Sequence, residues 1–121
     1  MNERKNRIIL LEDDPIISWN IITQLESFGI EVNNILESKN GLLDLEVNRN
    51  DLIVTNLRLF DGWLDEKFFH YLKTKGTTVL ILTGLSSNAV FYKSILGNKT
   101  HFLYKPYTTR QLKRKLSMIK F

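Results

Sequence analysis

Cysteine is absent from this 121-residue sequence, and proline and glycine are scarce, with two and six residues. The lack of cysteine excludes disulfides, thiolate chemistry and cysteine-based metal sites. No apolar run approaches the roughly 20 residues needed to cross a bilayer. The first run, Ile8 to Leu11, is short and is followed at once by acidic residues, unlike a secretory signal. We therefore expect a cytoplasmic protein without membrane association.

The composition and length that remain are ordinary for a globular protein. A chain of this length fits one hydrophobic core, so we expect a single domain over residues 1–121. The formal net charge of +4 has a local source, because lysine and arginine crowd the last dozen residues. That charge alone is no nucleic-acid signature, and we expect no direct binding of nucleic acid.

Short aliphatic runs alternate with amphipathic stretches, which predicts an α/β protein with a parallel sheet. Five strands are expected: Arg7 to Leu11, Glu31 to Leu36, Asp51 to Asn56, Thr77 to Thr83 and Thr100 to Tyr104. Five helices are expected: Pro15 to Phe28, Gly41 to Val47, Gly62 to Lys75, Ser86 to Leu96, and a last one capped by Thr108 or Thr109 that carries Leu112, Leu116 and Ile119. Right-handed crossovers make such an alternation one doubly wound sheet.

Polar residues stand where the predicted strands end. Glu12 and Asp13 follow the first strand, Asn56 ends the third, Thr83 ends the fourth, and Lys105 follows the fifth. In doubly wound sheets ligands bind at the carboxyl ends of the strands. Carboxylates suit a hard cation such as Mg²⁺, while a phosphoryl group needs a cation, a lysine and a hydroxyl around its oxygens. The set therefore predicts a phosphoryl-transfer pocket.

Each of these residues alone has a structural explanation. An acidic run after a strand often caps the next helix, a threonine at a strand end is usually structural, and a lone lysine is usually a solvated charge. The prediction of a site depends on their joint occurrence, in order, at successive strand ends.

Over its whole length the sequence resembles a receiver domain of two-component response regulators. The matching segments are RIILLEDDP, DLIVTNLRLFDG, VLILTG and FLYKP. The resemblance implies a flavodoxin-like sheet with strand order 2-1-3-4-5. It assigns Glu12 and Asp13 to the acidic pair that holds magnesium, Thr83 to the switch hydroxyl, Lys105 to the phosphoryl contact, and Phe102 to the switch aromatic position.

Asn56 departs from the family pattern, which has an aspartate here as nucleophile and metal ligand. A carboxylate attacks phosphorus to give an acyl phosphate, whereas a carboxamide carries no full charge on its oxygen and has no nucleophilic nitrogen. The amide oxygen can still bind a cation, but one formal charge is lost. We expect a weakened or absent Mg²⁺ site at Glu12, Asp13 and Asn56, and a domain that is not an enzyme. Asp61 would have to swing inward to replace the missing acid.

The end of the chain supplies a candidate interaction surface. Arg110 and Arg114 lie opposite the apolar side of the last helix, and Phe102 and Tyr104 add aromatic area. Arginine and aromatic residues are favoured at protein interfaces. The family resemblance implies a protein partner (a histidine kinase, a phosphotransfer protein or an effector) or a homodimer through the last two helices and the fifth strand. A solvated basic face is the structural alternative.

Three functions follow from these observations. The first is a pseudo-receiver, a signalling module that forms no acyl phosphate at Asn56 and acts through protein–protein interaction. The second is an ordinary phosphoacceptor response regulator in which Asn56 replaces a native aspartate. The third is a metal-dependent α/β phosphotransfer enzyme that uses Glu12 and Asp13, although the spacing to Lys105 fits a receiver better.

Overall fold

The main sheet of the domain has five parallel strands. The computed structural model describes residues 7–59, 62–84 and 97–119. Its strands are β1 (Arg7–Leu11), β2 (Asn34–Leu36), β3 (Asp51–Thr55), β4 (Arg58–Leu59), β5 (Gly62–Trp63), β6 (Thr78–Thr83) and β7 (Thr100–Tyr104). The order across the main sheet is β2-β1-β3-β6-β7, and β4 and β5 form a separate antiparallel pair. The flavodoxin-like order expected from the sequence is confirmed.

Helices cover both faces of this sheet. The described residues contain α1 (Pro15–Ser27), α2 (Lys39–Leu45), α3 (Glu66–Lys75) and α4 (Thr109–Met118), and a short 3₁₀ turn, Gly97–Lys99, leads into β7. The helix expected from Ser86 to Leu96 lies outside the described residues. None of the described helices is long and apolar enough to cross a membrane.

Successive residues of each central strand point to opposite faces, so the sheet separates two hydrophobic cores. On one face, the buried strand residues pack with residues of α2 and α3: Ile9, Leu11, Ile53, Val79 and Ile81 with Leu42, Phe68, Phe69 and Leu72. On the other face, they pack with α1 and the end of the chain: Ile8, Leu10, Leu52, Val54, Leu80 and Leu82 with Ile21, Leu25, Leu112, Leu116 and Ile119. The continuous apolar runs in the sequence reflect this burial on both faces.

The first helix begins as expected but buries a slightly different side. Asp14 is its N-cap and accepts hydrogen bonds from the backbone N–H groups of Ile16 and Ile17. The spacing of Ile17, Ile21, Leu25 and Phe28 predicts one buried stripe, but Ile17 is 38% exposed, whereas Ser18 is buried together with Ile21.

The second expected strand is shorter than predicted. It was expected from Glu31, but β2 begins at Asn34. The Asn33 side chain accepts a hydrogen bond from the backbone N–H of Ile8 at 2.7 Å, and the backbone N–H of Asn33 donates to the carbonyl of Ile8. Asparagine side chains compete in this way with regular ladder bonds, so the strand starts after it.

The third helix was expected from Gly62, and this prediction is wrong for its first residues. Gly62 and Trp63 form β5, and the helix begins at Glu66 behind the N-cap Asp65. The N–H of Leu64 donates to the carbonyl of Leu57 at 2.8 Å, which closes the hairpin. Leu64 precedes the helix and is buried.

Candidate functional site

The predicted site residues lie together at the carboxyl edge of the sheet. Glu12 directly follows β1, and its backbone N–H donates to the carbonyl of Leu36 at the end of β2. Asn56 follows β3, and Thr83 ends β6. The backbone N–H of Lys105 donates to the carbonyl of Thr83 at 2.9 Å, which fixes the loop after β7 beside β6. Four strand ends therefore set the spacing of these polar side chains.

Asn56 lies between Glu12 and Lys105 and is hydrogen-bonded to both side chains. Its Nδ2 donates to Oε1 of Glu12. Its Oδ1 accepts a hydrogen bond from Nζ of Lys105 at 2.9 Å. The carboxamide is thus held at both ends, by a carboxylate on one side and an ammonium group on the other.

The neighbours of Asn56 fix the orientation of its carboxamide. Amide oxygen and nitrogen are assigned from the surrounding hydrogen bonds. The reverse orientation would place the amide oxygen against the Glu12 carboxylate and the NH₂ group against the Lys105 ammonium. Both contacts would then be repulsive, so the observed orientation is strongly preferred.

Glu12 is an unusual carboxylate because it is only 3% exposed. Burial raises the pKa of Glu12, and the nearby Asp13 carboxyl acts in the same direction. The backbone N–H of Asp14, which donates to Oε2 of Glu12 at 3.2 Å, and the Lys105 charge both oppose this rise. Burial also raises the pKa of Tyr107, and the Glu12 charge adds to that effect.

The arrangement of these side chains does not fit Mg²⁺ well. A hard cation takes oxygen ligands, but Asn56 turns its NH₂ group toward Glu12 and its oxygen toward Lys105. The two remaining carboxylates are those of Glu12 and Asp13. Within residues 7–59, 62–84 and 97–119, no group of three or more histidine, aspartate or glutamate side chains could hold a metal. A magnesium site here would need the amide of Asn56 to turn over.

A cavity of about 280 Å³ opens beside Asn56 at this edge of the sheet. Thr83 and Lys105 line it, as expected from the sequence, but so do Arg58 and Trp63. The Arg58 guanidinium lies over the Trp63 ring, 5.8 Å from its centroid. Sequence reasoning missed these two residues. The available signal was the position of Arg58 two residues after Asn56, which places both on the same side of an extended segment.

The expected interaction surface is only partly assembled. Phe102 is buried, and its ring stacks with that of the partly exposed Tyr104 at a centroid distance of 6.2 Å. Arg114 and Met118 on α4 line a shallow cavity of about 360 Å³ with both rings. Arg110 is exposed and does not line this cavity. The candidate acid Asp61 lies outside the described residues, as do the further aromatic residues Phe91 and Tyr92.

Solved structures with a similar fold include response regulators and receiver domains. A response regulator from Colwellia psychrerythraea has a TM-score of 0.72 and 20% identity, over 94% of this chain and 95% of that one. The chemotaxis response regulator CheY4 of Vibrio cholerae has a TM-score of 0.72 and 18% identity, over 94% and 98%. The receiver domain of the sensor histidine kinase PA1611 from Pseudomonas aeruginosa, with magnesium in its active site cleft, has a TM-score of 0.72 and 22% identity, over 94% and 96%.

These similarities define the fold of the chain as that of response-regulator receiver domains. The sequence itself matches no protein family model and no curated protein. The likeness is therefore one of backbone architecture at low identity.

Proposed function

We propose that this chain is a pseudo-receiver: a receiver-type signalling domain that forms no acyl phosphate at Asn56 and acts through contact with a protein partner. The single observation that supports the proposal best is the position of Asn56. It occupies the strand end between Glu12 and Lys105, where a phosphoacceptor aspartate is expected from the family resemblance.

The chemistry of the carboxamide supports the absence of phosphotransfer to this chain. Attack on a phosphoryl group needs an oxygen with substantial negative charge. The oxygen of Asn56 is neutral and already accepts a hydrogen bond from Lys105. The NH₂ group has its lone pair delocalised into the carbonyl and donates to Glu12. We therefore propose that the domain is not an enzyme and that its Mg²⁺ binding is weak or absent.

Signalling without phosphorylation requires a partner that reads the surface of the domain. The shallow cavity lined by Phe102, Tyr104 and Arg114 supports this role, since aromatic and arginine side chains are favoured in interfaces. The proposed partner is a histidine kinase, a phosphotransfer protein or an effector, in a cytoplasmic setting. Self-association through α4 and β7 is part of the proposal and would appear as a dimer mass in light scattering, reduced by Tyr104→Ala.

Exposure to a small phosphodonor tests directly whether the chain forms an acyl phosphate. The purified domain is incubated with Mg²⁺ and acetyl phosphate, and its intact mass is measured. We expect no phosphate adduct on the native sequence. An adduct that survives acid but is removed by hydroxylamine would overturn the proposal, because those properties identify an acyl phosphate.

The matched control is Asn56→Asp, which restores a carboxylate of nearly the same shape. We expect this variant to gain one phosphate, which would show that Thr83 and Lys105 still form a working pocket. If the variant also stays unmodified, the site has lost more than its nucleophile, and the alternative of an ordinary phosphoacceptor regulator with a substituted aspartate would be excluded.

A further inference from the structure

The cavity beside Asn56 has a positive lining within the described part of the chain. The residues that line it include the cationic Lys105 and Arg58, together with Thr83 and Trp63. No described lining residue is a carboxylate. At about 280 Å³ the cavity is far larger than the roughly 30 Å³ share of one water molecule, so a small polyatomic ion fits with its remaining hydration.

The acidic part of the site is separated from this cavity by Asn56. Glu12 is buried and accepts the amide hydrogen of Asn56, and it does not line the cavity. In a site with an ionised aspartate, the charges of three acids would oppose an anion unless a divalent cation offset them. Here the group between the acid and the cavity is a neutral amide. The formal charges at the described wall of the cavity are thus those of Lys105 and Arg58.

Both cations are placed so that they can donate to an anion. Lys105 donates to Oδ1 of Asn56, and an ammonium group has three donors, so it can bind an oxyanion as well. Arg58 is exposed on β4, and its contact with Trp63 at 5.8 Å is near the outer limit of about 6 Å for a cation–π interaction. A guanidinium held over a ring keeps its N–H edges for a planar, bidentate contact with phosphate-type oxygens.

We infer that this cavity binds a small tetrahedral oxyanion of the phosphate class, non-covalently and without a divalent cation, with Arg58 and Lys105 as its charged donors. The inference rests on the proposed function, because it assumes that no acyl phosphate forms at Asn56. It goes further by giving the site a ligand: Arg58 supplies the second positive charge that a metal ion would otherwise provide.

The chain offers a built-in reporter for this binding. It has two tryptophans: Trp63 lines the cavity, whereas Trp19 is 69% exposed on α1. The full ¹⁵N-labelled chain is titrated with inorganic phosphate in EDTA at constant low ionic strength, because salt screens such contacts. We expect the indole N–H signal of Trp63 to shift saturably and that of Trp19 to stay in place.

Variants separate a built site from general attraction to a basic protein. Arg58→Gln and Lys105→Gln should each weaken phosphate binding by about tenfold, the loss expected for one charge-assisted hydrogen bond. Lys67→Gln on α3, which removes the same charge outside this cavity, should leave the titration unchanged. The backbone spectrum of each variant shows whether the fold is retained.

Several results would overturn the inference. These are the absence of a saturable Trp63 shift in EDTA, a shift that appears only with Mg²⁺, and equal weakening by Lys67→Gln and Arg58→Gln. The intact-mass experiment tests the proposed function, and its outcome is independent of the phosphate titration. A covalent phosphate on the native chain overturns the proposed function, whereas an unmodified chain with no phosphate-dependent shift overturns the anion site alone.

Discussion

The carboxamide of Asn56 makes two hydrogen bonds that an ionised aspartate in the same place could not make together. An aspartate could accept from Lys105, but its second oxygen would face the buried carboxylate of Glu12. The neutral amide thus gives both Glu12 and Lys105 a hydrogen-bond partner within the chain. An ionised aspartate would place three carboxylates at this edge of the sheet, so we expect the identity of residue 56 to decide whether the edge depends on a cation.

Asn56→Asp should therefore make stability depend on Mg²⁺. In EDTA we expect the variant to lose about 1–2 kcal/mol, because a hydrogen bond is replaced by a like-charge contact. That corresponds to a melting temperature lower by several degrees for a domain of this size. Added Mg²⁺ should restore the loss, since three carboxylates form a site for a hard cation. The native chain should respond little.

Thermal melts followed by circular dichroism, with EDTA and with millimolar Mg²⁺, measure this effect. Asn20→Asp on the exposed part of α1 is the control, because it makes the same change of charge away from the site. If both aspartate variants respond equally to Mg²⁺, or if the native chain is stabilised as strongly as Asn56→Asp, residue 56 does not determine the response of this site to Mg²⁺.

Glu12 should make stability depend on pH. Because burial raises the pKa of Glu12 in the folded domain, the folded state holds this proton more tightly than the unfolded state does. The resulting stability is complete below the ordinary carboxyl pKa of about 4 and is lost as the pH rises through the raised folded pKa. Glu12→Gln removes this titration, so its stability relative to the native chain should be higher at pH 7 than at pH 4.

Urea unfolding of both proteins between pH 4 and pH 7 gives this difference directly. The slope with denaturant should be the same for the two chains, which shows that the unfolded states are comparable. A stability difference that stays constant, or that grows toward acid, would contradict the raised pKa of Glu12.

The residues of the candidate site were predictable to the extent that they follow long strands. Glu12, Asn56, Thr83 and Lys105 stand at the ends of apolar runs, and parallel strands bring such ends to one edge. Arg58 lies on a strand of only two residues, which is too short to produce a periodic pattern. Its approach to the site depends on the hairpin, so sequence spacing alone did not reveal it.

At the scale of elements, N-cap residues explain why the start of the last helix was predicted correctly and the start of α3 was not. Asp65 accepts a hydrogen bond from the N–H of Phe68 at 2.8 Å and begins α3. The predicted start at Gly62 was based on the apolar residues and did not take this cap into account. Thr108, by contrast, was predicted as one of two caps for the last helix and begins α4 with a complete capping box.

Thr108→Ala should destabilise the domain by about 1 kcal/mol, the usual cost of removing an N-cap. The Thr108 hydroxyl accepts from the N–H of Gln111 at 3.1 Å, while the Gln111 side chain accepts from the N–H of Thr108 at 2.7 Å. Thr108→Ser keeps the cap and should be nearly neutral. Chemical denaturation measures both, and equal losses in the two variants would show that the methyl group, not the hydroxyl, stabilises this helix start.

At the scale of the whole molecule, the two cores are separated by one sheet whose central strands are buried on both faces. The sequence revealed this because the central strands carry unbroken aliphatic runs. It did not reveal that an ion pair forms at the opposite edge of the sheet, at the amino ends of the strands. There, Arg7 begins β1 directly opposite Asp51, which begins β3. Two oppositely charged residues at the starts of apolar runs were the only sequence signal.

The pairing of Arg7 with Asp51 should contribute more to stability than a surface ion pair does. Nε and Nη2 of Arg7 donate to the two carboxylate oxygens of Asp51, each at 2.8 Å, and the Asp51 side chain is fully buried. This hydrogen bonding raises the pKa of Arg7. Arg7→Met leaves a buried carboxylate without its partner and should cost about 2–4 kcal/mol, somewhat below the full cost of breaking a buried pair because Arg7 is partly exposed.

A double-mutant cycle separates the pair from its surroundings. Asp51→Asn should also destabilise, since Asp51 accepts a third hydrogen bond, from the backbone N–H of Asn48 at 2.9 Å. The double variant Arg7→Met with Asp51→Asn removes both charges, so it should lose less than the sum of the two single losses, by 1 kcal/mol or more. Urea unfolding of the four proteins gives the coupling, and strictly additive losses would mean that the two residues stabilise the sheet independently of each other.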